Sequence, residues 1–186
     1  MEQKRGLKPT IFLRKNRRGQ IWVETVIYTL IAFVMIGLVL AFAKPKIEEL
    51  QDKVLIEQSI VMLKDIDSTI LNIGVAGNQR ILQLKIKKGE LKIDGINDQL
   101  IFEMESKHTY SEPEKKINDE NLIIYTKDKG NINIVNLTRD YSNSHNIKYE
   151  GLDEVETLTK ASVLYKLSLT NDGYVGGKTI ININLI

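Results

Sequence analysis

Apolar residues follow three regimes along the chain. From Ile21 to Ala43 they run as IWVETVIYTLIAFVMIGLVLAFA, 23 residues broken by a single charge, Glu24. From Ile47 they recur at helical spacing, with Ile47, Leu50 and Val54 on one face, then Ile56, Ile60, Leu63, Ile66 and Ile70 on a broader one. Glu48, Glu49, Lys53, Glu57, Lys64 and Asp65 fill the positions between, which is the pattern of an amphipathic helix, and Gly74 and Gly77 supply its stop. From Gln79 onward the period falls to two: Leu82, Leu84 and Ile86 alternate with Gln83, Lys85 and Lys87, and Leu91 and Ile93 with Lys92 and Asp94, as in half-buried strands.

The first regime is long enough to cross a membrane, since roughly 20 apolar residues span a ~30 Å hydrocarbon core as a helix. A buried core helix of a soluble protein is the alternative, but a helix this long and apolar all round is rare in so short a chain. With Gln20 as its first residue, the first two regimes together predict one helix of about 53 residues, ~80 Å long. Pro45 cannot donate its N–H and would clash with the carbonyl of Ala41, so a kink is expected at the membrane exit. Beyond it, the upper helix must bury one face on a head. The drift of its apolar positions leaves open whether that face also meets other subunits.

The head region offers turn signals at Lys88-Gly89, Asp94-Gly95, Lys127-Asp128-Lys129-Gly130 and Asn171-Asp172-Gly173. They separate further strands at Leu100–Met104, Leu122–Tyr125, Ile132–Val135, Val163–Leu169 and Ile180–Ile186, predicting a meander of about seven antiparallel strands. The stretches Ser106–Glu120 and Arg139–Lys160 read as polar loops, with a short helical turn near Leu158. The expected fold class is therefore α+β: a long N-terminal transmembrane and amphipathic helix with a C-terminal antiparallel β-sheet head. The expected organisation is a basic leader at 1–19, a transmembrane helix at 20–45, its extracytoplasmic continuation at 46–73 and a β head at 79–186.

Charge adds a direction. The 186 residues carry 26 Lys+Arg and 24 Asp+Glu, a nearly neutral balance that conceals a strong asymmetry. Lys4, Arg5, Lys8, Arg14, Lys15, Arg17 and Arg18 face only Glu2 before Gly19, so the remainder of the chain is net acidic. A basic N-terminal flank places Met1 in the cytoplasm and the head outside, in a single pass. A secretory signal peptide would carry a shorter apolar run ending in a small-residue cleavage site, whereas this one continues into Lys44-Pro45-Lys46.

At the border of the basic and apolar segments stands Arg17-Arg18-Gly19-Gln20-Ile21-Trp22-Val23-Glu24. A basic patch, a Gly, a Gln, a Glu four residues later and an unbroken apolar helix resemble the class III signal sequence of type IV pilin-like proteins in its archaeal form, over about Arg17 to Ala43. Trp22 stands where the archaeal pattern usually has a small hydroxyl residue. The resemblance implies cleavage between Gly19 and Gln20 by a membrane prepilin peptidase. It also implies handling by an assembly ATPase and a membrane platform protein, then self-assembly into a helical surface filament with the apolar helices at its core. On this reading Glu24 accepts the new N-terminal ammonium of a neighbouring subunit. Two unit charges ~4 Å apart attract by ~4 kcal/mol at an effective dielectric of 20, whereas a carboxylate at depth in a membrane costs ~2.5 kcal/mol or more. Snorkelling of Glu24 to the interface is the alternative that needs no neighbour.

Other chemistry is poorly represented. With no Cys there is neither a disulfide framework nor a thiolate metal site, and two separated histidines, His108 and His145, do not make a zinc centre. Both lie in segments read as polar loops and are expected to be solvated rather than catalytic. No metal, cofactor or catalytic residue is therefore expected. The segment Asp172-Gly173-Tyr174-Val175-Gly176-Gly177-Lys178-Thr179 approaches a phosphate-binding loop but misses the first Gly and precedes a strand instead of a helix, so it reads as a hairpin. Asn136-Leu137-Thr138 is an N-glycosylation acceptor, yet 14 Asn and 19 Ser+Thr in 186 residues give about 1.4 such tripeptides by chance. Nucleic acid is a disfavoured partner, because the basic cluster sits beside the membrane anchor. The sequence thus points to a non-catalytic filament subunit, and the competing reading is an uncleaved, membrane-anchored binding or sensor module.

Overall fold

The computed structural model describes residues 17–186, with side chains from Ile21 onward. Most of the expected leader, residues 1–16, lies outside the described residues, as do the side chains of Arg17, Arg18, Gly19 and Gln20. The chain divides into two compact units between Pro45 and Lys46. Helix α1 (Arg17–Leu71) supplies the first unit's described residues and opens the second, and its α-helical backbone continues through Pro45.

In the first unit every described side chain from Ile21 to Phe42 is exposed, so this stretch has no core of its own to join. Among the described residues one helix, near the N-terminus, is long and apolar enough to cross a membrane, and none of its most apolar window is buried. A single candidate membrane-spanning helix is the coarse arrangement the sequence predicted.

The second unit, Lys46–Ile186, begins with the rest of α1. Ten strands follow: β1 (Gln79–Leu84), β2 (Glu90–Asp94), β3 (Gln99–Ser106), β4 (Lys116–Asp119), β5 (Leu122–Asp128), β6 (Asn133–Asp140), β7 (His145–Tyr149), β8 (Val155–Thr159), β9 (Tyr165–Val175) and β10 (Lys178–Leu185). They form a six-stranded antiparallel sheet, ordered β4-β5-β6-β3-β2-β8, and a four-stranded sheet, ordered β1-β9-β10-β7. The expected α+β class is present, but the head departs from a simple antiparallel meander, because β10 pairs with β7 in parallel.

Three strands occupy the segments read as loops. β4 and β8 are the edges of the larger sheet and β7 an edge of the smaller, and an edge strand contributes few apolar side chains. Leu158, placed by sequence in a helical turn, is a buried residue of β8 paired with Leu91. The Asn171-Asp172-Gly173 signal is not a turn either. The register slips there, with Ile180 opposite Gly173 and Ile181 opposite Asn171, so Asp172 is the extra residue of a β-bulge. The chain reverses at Gly176-Gly177, whose φ values of 61° and 88° are both left-handed, as a two-residue type I′ hairpin requires.

The predicted helical stripe is the backbone of the core: Ile56, Ile60, Leu63, Ile66 and Ile70 are all buried, together with Leu91, Ile93, Phe102, Leu137, Leu169 and Ile181 from the sheets. At about 1.5–3 kcal/mol per fully buried aliphatic side chain, this stripe accounts for most of the attachment of the helix to the head. Polar contacts fix its rotation. Asp52 accepts from Lys88 Nζ at 2.5 Å and from the Lys107 amide at 2.7 Å, and Arg139 Nε donates to Asp67 at 2.6 Å. After Leu71 the helix ends on Gly74 at φ 82°, with Asn78 Nδ2 donating to the Ile73 carbonyl at 2.9 Å. The two sheets are tied by Asp98, itself at φ 56°, whose carboxylate accepts from the Ile147 amide of β7 and from Lys178 of β10, each at 2.9 Å.

Candidate functional site

The chemically unusual feature of the first unit is a carboxylate in an otherwise apolar, fully exposed helix. The other polar side chains nearby satisfy themselves: Thr25 Oγ1 donates to the Ile21 carbonyl at 2.9 Å and Thr29 Oγ1 to the Thr25 carbonyl at 2.7 Å. Such back-bonding lets a hydroxyl face hydrocarbon without an unmet donor. Glu24 receives one hydrogen bond among the described residues, from the Tyr28 hydroxyl one turn on, at 3.2 Å. An ionised carboxylate offers about four acceptor positions, so this single contact leaves acceptor capacity on a side chain that points out from the helix.

The sequence-predicted site residues fall along this one helix. Arg17, Arg18, Gly19 and Gln20 form the first turn of α1, immediately before Ile21 and four residues or more before Glu24. Pro45 lies within α1. Just past it, Lys46 donates to Glu49 at 2.7 Å, and this contact holds the Glu49 carboxyl below its ordinary range. His108 reaches the same carboxylate at 3.6 Å and lies edge-on to Tyr110.

The remaining candidates take structural positions. Asn136 is in the middle of β6, between β3 and β5, opposite Glu103 and Tyr125. Its side-chain oxygen is buried, a setting unlike the surface loop in which a glycosylation acceptor is ordinarily used. His145 opens β7 and is half-buried edge-on against Tyr141, 5.8 Å between ring centroids, instead of lying in a solvated loop. Burial, followed by the charge of Arg139, pushes its pKa below the usual histidine value. The near-phosphate loop is the β9–β10 hairpin described above. Among the described residues, no three His, Asp or Glu side chains gather in a way that could hold a metal ion.

One cluster has no signature in the sequence. Asp67 of α1, Arg139 of β6 and Tyr141 converge, with the Arg139 guanidinium 4.5 Å from the centre of the Tyr141 ring and donating through Nη1 to the Asp140 carbonyl. Burial raises the Tyr141 hydroxyl pKa well above its ordinary value, and the neighbouring Asp67 charge adds to this. The cluster holds helix to sheet, and the cleft beside Asp67 and Arg139 has a volume of only about 10 Å³. Asp67 and Arg139 are 72 residues apart in sequence, beyond any local pattern.

Comparison of the chain with protein-family models, with curated proteins and with solved structures gives no match.

Proposed function

We propose that this chain is a pilin-like structural subunit of an archaeal type IV pilus-like surface filament, cut between Gly19 and Gln20 and assembled through α1. The observation that carries the reading is the division of labour along one helix. Its first part is naked, apolar and marked near its start by Glu24, while its second part is the buried spine of a β head. An apolar face of this extent in water requires a cover, which lipid supplies before assembly and neighbouring helices supply afterwards. The precursor would sit with its N-terminus in the cytoplasm and its head outside, as the basic flank directs. Its partners would be the prepilin peptidase, the assembly ATPase with its membrane platform protein, and further copies of itself. The role is structural, with no catalysis of its own.

N-terminal sequencing of the protein from its own host tests the proposal. Gln20 as the first residue supports it, and Met1 or Glu2 refutes it. Glu24→Gln separates the role of the carboxylate from that of the span. It makes the helix more apolar and preserves insertion, and on this reading it abolishes filaments. A second reading, an uncleaved anchored binding module, draws on the Tyr28–Glu24 hydrogen bond, which gives the carboxylate a partner without any neighbouring subunit. Filaments at normal yield from Glu24→Gln would favour it.

A further inference from the structure

In the second unit α1 carries a further apolar row that the head leaves uncovered. Ile47, Leu50, Val54 and Val61 are 53, 56, 49 and 58 % exposed, although Ile56, Ile60, Leu63, Ile66 and Ile70 of the same helix are buried. At about 100° per residue, the exposed row lies roughly 170° round the helix from the buried one. The helix therefore has two opposed apolar faces. Ile47, Leu50 and Val54 line an open trough whose polar members are Gln51, Gln58 and Lys87, so its rim carries no acidic residue. Glu57, 4.0 Å from Lys53, takes the position between Val54 and Val61 on this face, so the unbroken apolar row is Ile47, Leu50 and Val54.

The spacing identifies the shape of what covers this face. Ile47, Leu50 and Val54 stand three and then four residues apart, and Val61 seven beyond Val54. A row repeating every 3.5 residues is a helix–helix seam, because it keeps facing a second helix that winds round the first. In sequence the seven-residue spacing continues backward from Ile47 to Leu40 and Phe33. The membrane anchor supplies the orientation. Two copies inserted in one membrane enter with the same polarity, so their helices emerge side by side and parallel, with Ile47 of each at the same height. Confinement in the membrane also raises their effective concentration, which a seam of only three residues needs.

We propose that Ile47, Leu50 and Val54 form a parallel self-association seam between two copies of this chain in the membrane. The seam requires the anchor but neither cleavage after Gly19 nor filament growth, so it stands or falls independently of the filament reading.

The absence of cysteine from the chain makes the test direct. Full-length variants with single substitutions Ile47→Cys, Leu50→Cys or Val54→Cys are produced in membranes of a host without prepilin peptidase. Each is oxidised with copper phenanthroline and resolved by non-reducing electrophoresis. Lys53→Cys, a quarter-turn round the helix, and Asn143→Cys, on the exposed surface of the head, report random collision. Disulfide dimer at the three seam positions, with its loss at both controls, is the expected result. Adding Leu50→Lys to Ile47→Cys or Val54→Cys should abolish the dimer while leaving the thermal unfolding of the head unchanged, since Leu50 is not part of the core. Equal yields at all five positions, or no dimer at any, would overturn the proposal, the second because lipid or another protein then covers the face. Persistence of the dimer in the Leu50→Lys background would overturn it as well.

Discussion

Replacing Asp67 with Leu removes the carboxylate that pins α1 to β6 and leaves Arg139 half-buried without its counter-charge. The two side chains retain only 13 and 14 % exposure, and their contact is 2.6 Å. Breaking a fully buried pair costs about 3–5 kcal/mol, while an exposed pair contributes about 0–1 kcal/mol. Arg139 keeps its bond to the Asp140 carbonyl and its position over the Tyr141 ring. Those residual partners place the expected cost at about 2–3 kcal/mol, between the two limits. For a chain of this size that lowers the melting temperature by about 5–10 °C. Arg139→Met should cost a similar amount, because Asp67 then retains only the weak 3.3 Å bond from Asn121. The double variant Asp67→Leu/Arg139→Met should lose much less than the two single losses added together, since no unpaired charge remains. Thermal unfolding of the full chain in detergent, followed by near-ultraviolet circular dichroism, completes the cycle. Single variants within about 0.5 kcal/mol of wild type, with an additive double, would place this contact among ordinary surface pairs and refute the argument that it positions the helix.

Other expectations follow from the same geometry. Gly89 sits at φ 85°, and a Cβ there would come within 2.5 Å of the Glu103 carbonyl oxygen, so Gly89→Ala should cost about 3 kcal/mol. Gly130 has the same φ of 85° with open space around it, so Gly130→Ala should cost about 1 kcal/mol; equal melting temperatures for the two variants would contradict this. His145 titrates below its unfolded value, so the unfolded chain binds more protons near neutrality. The stability it contributes is present above about pH 6.5 and is lost as pH falls through the lowered folded value. Chemical unfolding at pH 7 and pH 5 should therefore show a smaller acid-induced loss in His145→Asn than in wild type, and equal losses would refute the assignment. A chain beginning at Lys46 should be a soluble, β-rich monomer at micromolar concentration, because it retains the entire buried stripe of α1 and lacks the confinement its exposed row needs. Size-exclusion chromatography and circular dichroism check this, and an aggregated or unfolded product would show that the head requires the anchor or a neighbour to complete its core.

Much of the architecture is legible from spacing alone. A 23-residue apolar run has one economical solution in water or lipid, because a helix satisfies its own backbone. The stripe Ile56–Ile60–Leu63–Ile66–Ile70 announces its buried face by period, and each of those residues is buried. Alternation likewise marks β2, β3, β5, β6 and β10, whose inward residues are apolar. Arg17 to Glu24 could be read because the residues concerned are neighbours in sequence, and Glu24 stands out as the only charge in its stretch.

What the sequence did not contain is pairing between distant segments. β4, β7 and β8 are short edge strands with none, two and one buried residues respectively, so their identity depends on the neighbour that hydrogen-bonds to them. The parallel match of β7 with β10 brings together segments some 30 residues apart, with Ile147 beside Ile181, and no local signal encodes that choice. Nor does composition show that Asp172 is a bulge instead of a turn, since Asn-Asp-Gly serves both and the opposing strand decides. The Asp67–Arg139–Tyr141 cluster is invisible for the same reason. Most revealing is α1 beyond Pro45: spacing separates its two apolar rows, but only the head shows that the row from Ile56 to Ile70 is covered while Ile47, Leu50 and Val54 stay exposed. Period specifies which residues share a helix face, but only the packed sheets determine which of those faces is already occupied.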